Sequence, residues 1–277
     1  MSTFRGWARP GQFPPGANSP PDVPPGETLD FISGHFRIFQ LRDGHRFSTD
    51  DVLAAWYGTT WCPSASTVLD LGSGIGSLAV IAAWRLPGAR MVTVEAQEVS
   101  VALARKTMAF NGLSDRVDVR CADFRDATAI APDERFDLIL GSPPYFPVGS
   151  GIEGDHPQKV ACRFELRGDI NDYCAAAARH LAPGGVFACV FPQPDGQRAR
   201  LLEAAAAHHL AIVRSRPIVL REGAPPLLAL YAMTRTIDLP EPMRKQSWEE
   251  PALVIRRADG AVHPEYQAIK LAFGFPP

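Results

Sequence analysis

The chain predicts an α/β fold in which a seven-stranded sheet, mostly parallel and closed by an antiparallel hairpin, is flanked by helices. Three observations predict it. From Asp70 onward, short apolar runs ending in turn residues alternate with longer segments of helical spacing, the pattern of a parallel sheet covered by helices. A glycine-rich break, Gly72 to Gly76, separates the first such run from the first such helix. The last two apolar runs are joined by a connection too short for a crossover helix, so they are expected to pair antiparallel.

The elements follow in order. Val68 to Leu71 reads as a buried strand, and Leu78 to Leu86 as a helix closed by Pro87-Gly88. Met91 to Glu95 is the second strand. Val99, Leu103 and Phe110 then fall on one helical face, with Asn111-Gly112 as the stop. Val117 to Arg120 and Phe136 to Gly141 are the third and fourth strands. A helix from Ile170 to Leu181 ends at Pro183-Gly184-Gly185, and Val186 to Phe191 gives the fifth strand. After a helix from Arg198 to His208, Ala211 to Pro217 and Leu227 to Met233 form the closing hairpin.

Residues 1–28 hold seven prolines, from Pro10 to Pro25, among glycines and polar residues, a composition that favours extended or mobile chain. They are expected to form a flexible tail, or a lid over the substrate, ahead of one domain spanning residues 29–277.

With 46% hydrophobic residues in 277, the chain can bury a sizeable core. A net charge of -2 shows no basic excess, so any nucleic-acid partner must be met by a local basic surface. Arg214, Arg216 and Arg221, with Arg244, Lys245, Arg256 and Arg257 beyond them, are the candidates. The five cysteines form no C-x-x-C pair and there is no His cluster at ligand spacing, so they read as buried thiols in a reducing compartment, with no metal site expected. No apolar run is long enough for a signal peptide or a membrane span, and a cytoplasmic location is expected.

The sharpest local signal is Asp70-Leu71-Gly72-Ser73-Gly74-Ile75-Gly76, where glycines let the backbone turn and a ligand approach closely. Glu95 follows 19 residues past Gly76, at the end of the second strand, where a carboxylate can accept both ribose hydroxyl hydrogens of a nucleoside. The third glycine comes two residues after the second and not three. That spacing departs from the dinucleotide fingerprint and resembles the loop of methyltransferases that use S-adenosylmethionine. Gly72, Ser73, Gly74 and Gly76 would cradle that cofactor. Asp123, just past the third strand, would accept from the adenine amino group; Asp70 would brace the loop or meet the ammonium of the methionine moiety.

After the fourth strand comes Ser142-Pro143-Pro144-Tyr145. An aromatic or amide nitrogen has a delocalised lone pair, so a catalyst must hold its hydrogens on acceptors that favour a tetrahedral nitrogen. The Ser142 hydroxyl and Pro143 carbonyl can supply these, the prolines fix the turn, and Tyr145 offers a face for stacking.

These residues resemble the N-P-P-Y/F amino methyltransferases, which act on DNA and RNA adenine N6, cytosine N4 and protein glutamine. More narrowly, the chain resembles the bacterial tRNA adenine-N6 methyltransferases acting on the anticodon loop of valine tRNA. The likeness rests also on Phe39-Gln40 to Leu53, on Arg163-Phe164-Glu165 and on Leu253-Val254-Ile255 to Glu265-Tyr266, and it spans residues 29–275. It implies a class I, Rossmann-like methyltransferase domain with S-adenosylmethionine as cofactor and adenine N6 of tRNA or another RNA as acceptor. A protein glutamine or a small-molecule amine fits the same turn. The family carries Asn where this chain has Ser142, a residue shared with cytosine-N4 enzymes. Thr49 and Asp50 are expected to close over the cofactor or position the acceptor, although Ser48 or Thr49 capping a helix explains them equally. Arg163 is expected to meet a phosphate or to pair with Glu165.

Overall fold

The computed structural model describes residues 3–4, 7–8, 14, 22–147, 149, 156–194 and 196–275. A hairpin of β1 (Glu27–Ser33) and β2 (Phe36–Leu41) precedes α1 (Thr49–Trp61). Then come β3 (Thr67–Leu71), α2 (Ser77–Arg85), β4 (Arg90–Glu95), α3 (Glu98–Phe110), β5 (Val117–Cys121) and β6 (Phe136–Gly141). The second half comprises α4 (Pro157–Arg163), α5 (Ile170–His180), β7 (Leu181–Pro192), α6 (Gln197–Ala207), β8 (Leu210–Arg221) and β9 (Leu228–Arg235). Two short strands, β10 (Trp248–Glu249) and β11 (Leu253–Arg256), and α7 (Pro264–Ala272) close the chain.

The main sheet runs β10-β8-β9-β7-β6-β3-β4-β5, and β11 also pairs with β8. β5, β4, β3, β6 and β7 are mutually parallel, while β9 lies antiparallel between β7 and β8. This is the expected class I arrangement with its closing hairpin. The sheet has nine strands and not seven, because β10 and β11 cover the outer edge of β8. Covering satisfies backbone groups that an open edge would leave as a template for association.

Side chains alternate across the sheet and build a core on each face. Val68, Leu138 and Leu140 join the face covered by α1, α2 and α3, whereas Leu69, Leu71 and Ile139 join the face under α5 and α6. The β1–β2 hairpin docks on α3 through polar side chains: Thr107 Oγ1 accepts the Phe39 amide at 3.0 Å, and Asn111 Oδ1 accepts that of Arg37 at 2.9 Å. Asn111 therefore ends α3, as expected, and also holds the hairpin.

Four local expectations need correction. On α3 the buried stripe is Ser100, Val101, Ala104, Thr107 and Met108, with Leu103, while Val99 is 43% exposed. Ser100 and Thr107 take core positions because Gln158 Nε2 and the Phe39 amide satisfy them. Helix α5 stops at His180, and Pro183-Gly184-Gly185 lies inside β7 as an irregularity opposite Phe136 to Leu138. There Gly184 takes φ +73°, and a Cβ on Gly185 would lie 2.9 Å from the Phe136 carbonyl oxygen. Of the cysteines only Cys174 and Cys189 are buried; Cys121 is exposed. Most of the expected tail lies outside the described residues, but Glu27 and Thr28 already pair with Leu41 and Gln40, so the hairpin begins inside it. Among the described residues no helix is long and apolar enough to cross a membrane.

Candidate active site

The chain passes from β3 to β4 and β5 on one side, then returns to place β6 and β7 on the other. The carboxyl ends of β3 and β6 therefore flank the point where strand order reverses, the place where open α/β sheets bind ligands. A cleft of about 420 Å³ opens there. Asp70, Gly72, Ser73, Gly74, Glu95, Asp123, Ser142, Pro143, Pro144 and Tyr145 all line it.

Two expected residues do not. Gly76 lies behind the loop as the residue before α2, at φ +81°; a Cβ there would come within 3.0 Å of Met108 Cε, so its role is close packing of α2 on α3. Thr49 faces away, its Oγ1 accepting from the Tyr266 hydroxyl at 3.4 Å. Its neighbour Asp50 lines the cleft instead. Successive helical residues are rotated by roughly 100°, so a shift of one position changes the face presented.

Two glycines and one carboxylate shape the loop. Gly72 and Gly74 sit at φ +59° and +54°, where a side chain would be strained. A Cβ on Gly72 would strike the Tyr173 hydroxyl at 2.1 Å, whereas one on Gly74 would meet nothing within 4 Å. Glu95 is buried and tied to the loop: Gly74 N donates to its Oε2 at 2.9 Å and Gln97 N to its Oε1 at 2.7 Å. Burial raises its pKa, and the two amide bonds oppose that shift.

Asp70 is 1% exposed, and among the described residues only the Ala79 amide approaches its carboxyl group, short of good hydrogen-bond geometry. Burial, with the charges of Asp51 and Glu95, raises its pKa well above the carboxylate range. Asp51, also lining the cleft, accepts the Ser48 amide in the capping box of α1 and is pushed up to about 7, mainly by burial. Asp123 is held differently. Arg125 donates to both its oxygens at 2.6 to 3.1 Å, and that guanidinium lowers its pKa.

On the β6 side, the Tyr145 hydroxyl donates to Asp50 Oδ2 at 2.8 Å, and Gln197 Nε2 donates to the Tyr145 carbonyl at 3.1 Å. Phe146 extends the turn: its amide donates to Arg163 O, and Glu165 N donates to its carbonyl. The ring is 40% exposed, with the Arg163 guanidinium 5.6 Å from its centroid. Glu165 pairs with Arg200 at 2.8 Å and not with Arg163. Asp51, Phe146, Arg167 and Tyr173 line the cleft without having been read from the sequence. For Phe146 the signal was its place beside the Ser-Pro-Pro-Tyr turn; Tyr173 gave none.

Residues 59–216 match the family described as Methyltransferase small domain, more than half of the chain. A tRNA1(Val) (adenine(37)-N6)-methyltransferase of Phocaeicola vulgatus is 30% identical over 209 residues, covering 75% of this chain and 85% of its own. The chain belongs to this methyltransferase family. A relative of the same description from Porphyromonas gingivalis is 29% identical over 254 residues, covering 85% of this methyltransferase and 91% of its own length. The fold matches that of a predicted O-methyltransferase of Agrobacterium tumefaciens, with a TM-score of 0.62 at 19% identity over 82% of this chain and 98% of the other.

The protein is thus an enzyme, a methyltransferase dependent on S-adenosylmethionine. The cleft fits that cofactor. S-adenosylmethionine is a nucleoside bearing a sulfonium and an ammonium, and the cleft offers a buried acid at Asp70 with no well-formed hydrogen bond, further acids at Asp50, Asp51 and Glu95, and open space over Gly74.

Proposed function

We propose that this methyltransferase transfers a methyl group to the N6 amine of an adenine in tRNA, the acceptor named for its relatives, and that the adenine enters the cleft at the Ser142–Tyr145 turn. The observation that carries this reading is the meeting, in one cleft, of the acid-lined loop after β3 and the Ser-Pro-Pro-Tyr turn after β6.

In this reading Glu95 accepts the ribose hydroxyls, since each of its oxygens keeps a lone pair beyond the bond it makes to Gly74 or Gln97. Asp70 faces the cationic methionine end, where pairing offsets the cost of its burial. Gly72, Ser73 and Gly74 admit the cofactor to the backbone. Asp123 stands at the adenine end, where it must share its carboxylate with Arg125. When bound, the cofactor supplies an electrophilic methyl on a positively charged sulfur that leaves as a neutral thioether. Ser142 Oγ and the Pro143 carbonyl hold the amine hydrogens, so that the nitrogen lone pair turns toward the methyl, and after transfer the nitrogen sheds one of those hydrogens as a proton to solvent. Tyr145 and the prolines limit the approach to one orientation.

The RNA must be met at the rim. Two of the seven basic candidates are used inside the fold: Arg214 stacks 3.6 Å from the Trp61 ring, and Arg216 is 8% exposed and paired with Glu265. Arg221 and Arg256 end β8 and β11, which run parallel to each other toward the cleft edge. Closer in, Lys159 and Arg163 face His45, which burial and their charges shift toward its neutral form. This lip suits phosphate, and a target base would leave its stack to enter the cleft.

Incubating the enzyme with labelled donor and valine tRNA transcript, then digesting to nucleosides, tests the reading. Label in N6-methyladenosine is expected. Label confined to a protein or small-amine fraction overturns it.

A further inference from the structure

Asp50 and Asp51 occupy adjacent positions in the first turn of α1 but do different things. Asp51 turns back to accept the Ser48 amide and closes the capping box. Asp50 gives the cap only its backbone amide, which donates to Ser48 Oγ, and its side chain takes no part in it. Its carboxylate lines the cleft and receives the Tyr145 hydroxyl, a contact bridging 95 residues of sequence. The Ser142 side chain lies close to that same hydroxyl, so Ser142, Tyr145 and Asp50 stand together on one wall of the cleft.

The Tyr145 ring packs against both cores at the edge of the cleft, which sets where it lies but not how its hydroxyl end is held. Its backbone is fixed by the preceding prolines and by Gln197, but a ring still turns about two side-chain bonds. Its aromatic neighbour among the described residues is Phe191, edge-on at 6.4 Å, and the far end of the phenol is held through its hydroxyl by Asp50. The acceptor requires that ring at a defined angle, because placing errors near 1 Å can cost roughly 100-fold in rate.

We propose that Asp50 is a positioning residue for methyl transfer: by holding the Tyr145 hydroxyl it sets the ring against which the acceptor lies. The proposal rests on the reading that the Ser142–Tyr145 turn receives the acceptor, and not on which molecule the acceptor is. The amino end of α1 favours a carboxylate at this position, so the group that completes the acceptor side is delivered by the segment before β3.

The test uses the full chain and the variants Asp50→Asn, Asp50→Ala, Tyr145→Phe and the Asp50→Ala/Tyr145→Phe pair, with kcat and KM measured on valine tRNA transcript. Asp50→Asn and Asp50→Ala both remove the charge, so a difference between them reads the oxygen that accepts the hydroxyl and not the electrostatics of the cofactor cleft. Asp50→Ala and Tyr145→Phe are each expected to lower kcat by roughly 10- to 100-fold with smaller changes in the tRNA KM. The pair should be no slower than the slower single variant, and Asp50→Asn should keep most of the turnover. Losses that multiply in the pair, Asp50→Asn as slow as Asp50→Ala, or Tyr145→Phe at full turnover overturn the proposal. Unfolding midpoints are recorded for each variant; if Asp50→Ala does not fold, Asp50→Asn against Tyr145→Phe decides, and equal losses overturn it. If the unaltered enzyme labels no tRNA, the acceptor reading fails separately, and the same ratios are read on the fraction that does take label.

Discussion

Gly74 donates its backbone amide hydrogen to the Glu95 carboxylate at 2.9 Å, so the loop after β3 and the acid ending β4 are one rigid piece. An acid already aimed and desolvated loses little freedom when a ligand's hydroxyls arrive.

Glu95→Ala is therefore expected to weaken S-adenosylmethionine binding by ~10- to 100-fold, the range of one or two charge-assisted hydrogen bonds. Calorimetric titration of the folded variant checks this. Unchanged affinity would remove Glu95 from the cofactor site.

Asp70→Asn should stabilise the free enzyme at neutral pH while weakening cofactor binding. The buried Asp70 carboxyl stays protonated to a higher pH than in the unfolded chain, whose acid ionises near 3.8, so folding at neutral pH works against proton release. Asparagine removes that penalty, and a gain of ~1 kcal/mol or more is expected at neutral pH, vanishing below the unfolded value. Urea unfolding at pH 7.5 and pH 3.5 measures it. An equal effect at both would show that proton linkage is not the cause.

Asp51 gives a window of its own. Its folded pKa of about 7 lies above 3.8, so the stability it contributes is complete below 3.8 and is lost as pH rises through about 7. Between pH 5 and pH 8 the melting temperature of the free enzyme should thus fall more steeply than that of Asp51→Asn. Saturating S-adenosylmethionine should flatten the difference by placing positive charge beside the acids. Parallel pH profiles of the two proteins would contradict the assignment.

What could be read from the sequence was the chemistry that is local in the chain. The loop Gly72 to Gly76 announces positive φ, Glu95 and Ser142 to Tyr145 sit directly at strand ends, and the βα alternation fixes which edge they share. What stayed hidden depends on packing between distant segments. Asp50 meets Tyr145 across 95 residues, Tyr173 reaches under Gly72 from α5, and nothing local distinguishes Thr49 from Asp50 except the phase of α1. Arg214 and Arg216 looked like surface cations because the covering of β8 by the closing segment, with Trp248 and Glu265, is not apparent from either strand alone.

Ser142→Asn should retain or raise turnover, since the longer amide still offers an oxygen to the amine. Ser142→Ala should lower kcat by ~10-fold or more, with cofactor affinity little changed, because it removes one of the two acceptors for the amine hydrogens. Single-turnover methylation assays distinguish the two. Full activity in Ser142→Ala would leave the acceptor hydrogens to other groups.

If Arg163 meets phosphate, Arg163→Ala should raise the KM for tRNA and reduce the slope of log affinity against log salt by ~1. Filter binding across a salt series measures both. An unchanged slope with weakened binding would assign Arg163 to support of Phe146, which its guanidinium overlies.

The most direct test of the whole account is isothermal titration of the folded enzyme with S-adenosylmethionine, run beside Glu95→Ala. One saturable site per chain, weakened at least tenfold in the variant, is the outcome expected if the donor lies across the bend joining β3 to α2. A folded enzyme that takes up no S-adenosylmethionine, or a variant that binds it as tightly, would contradict that placement.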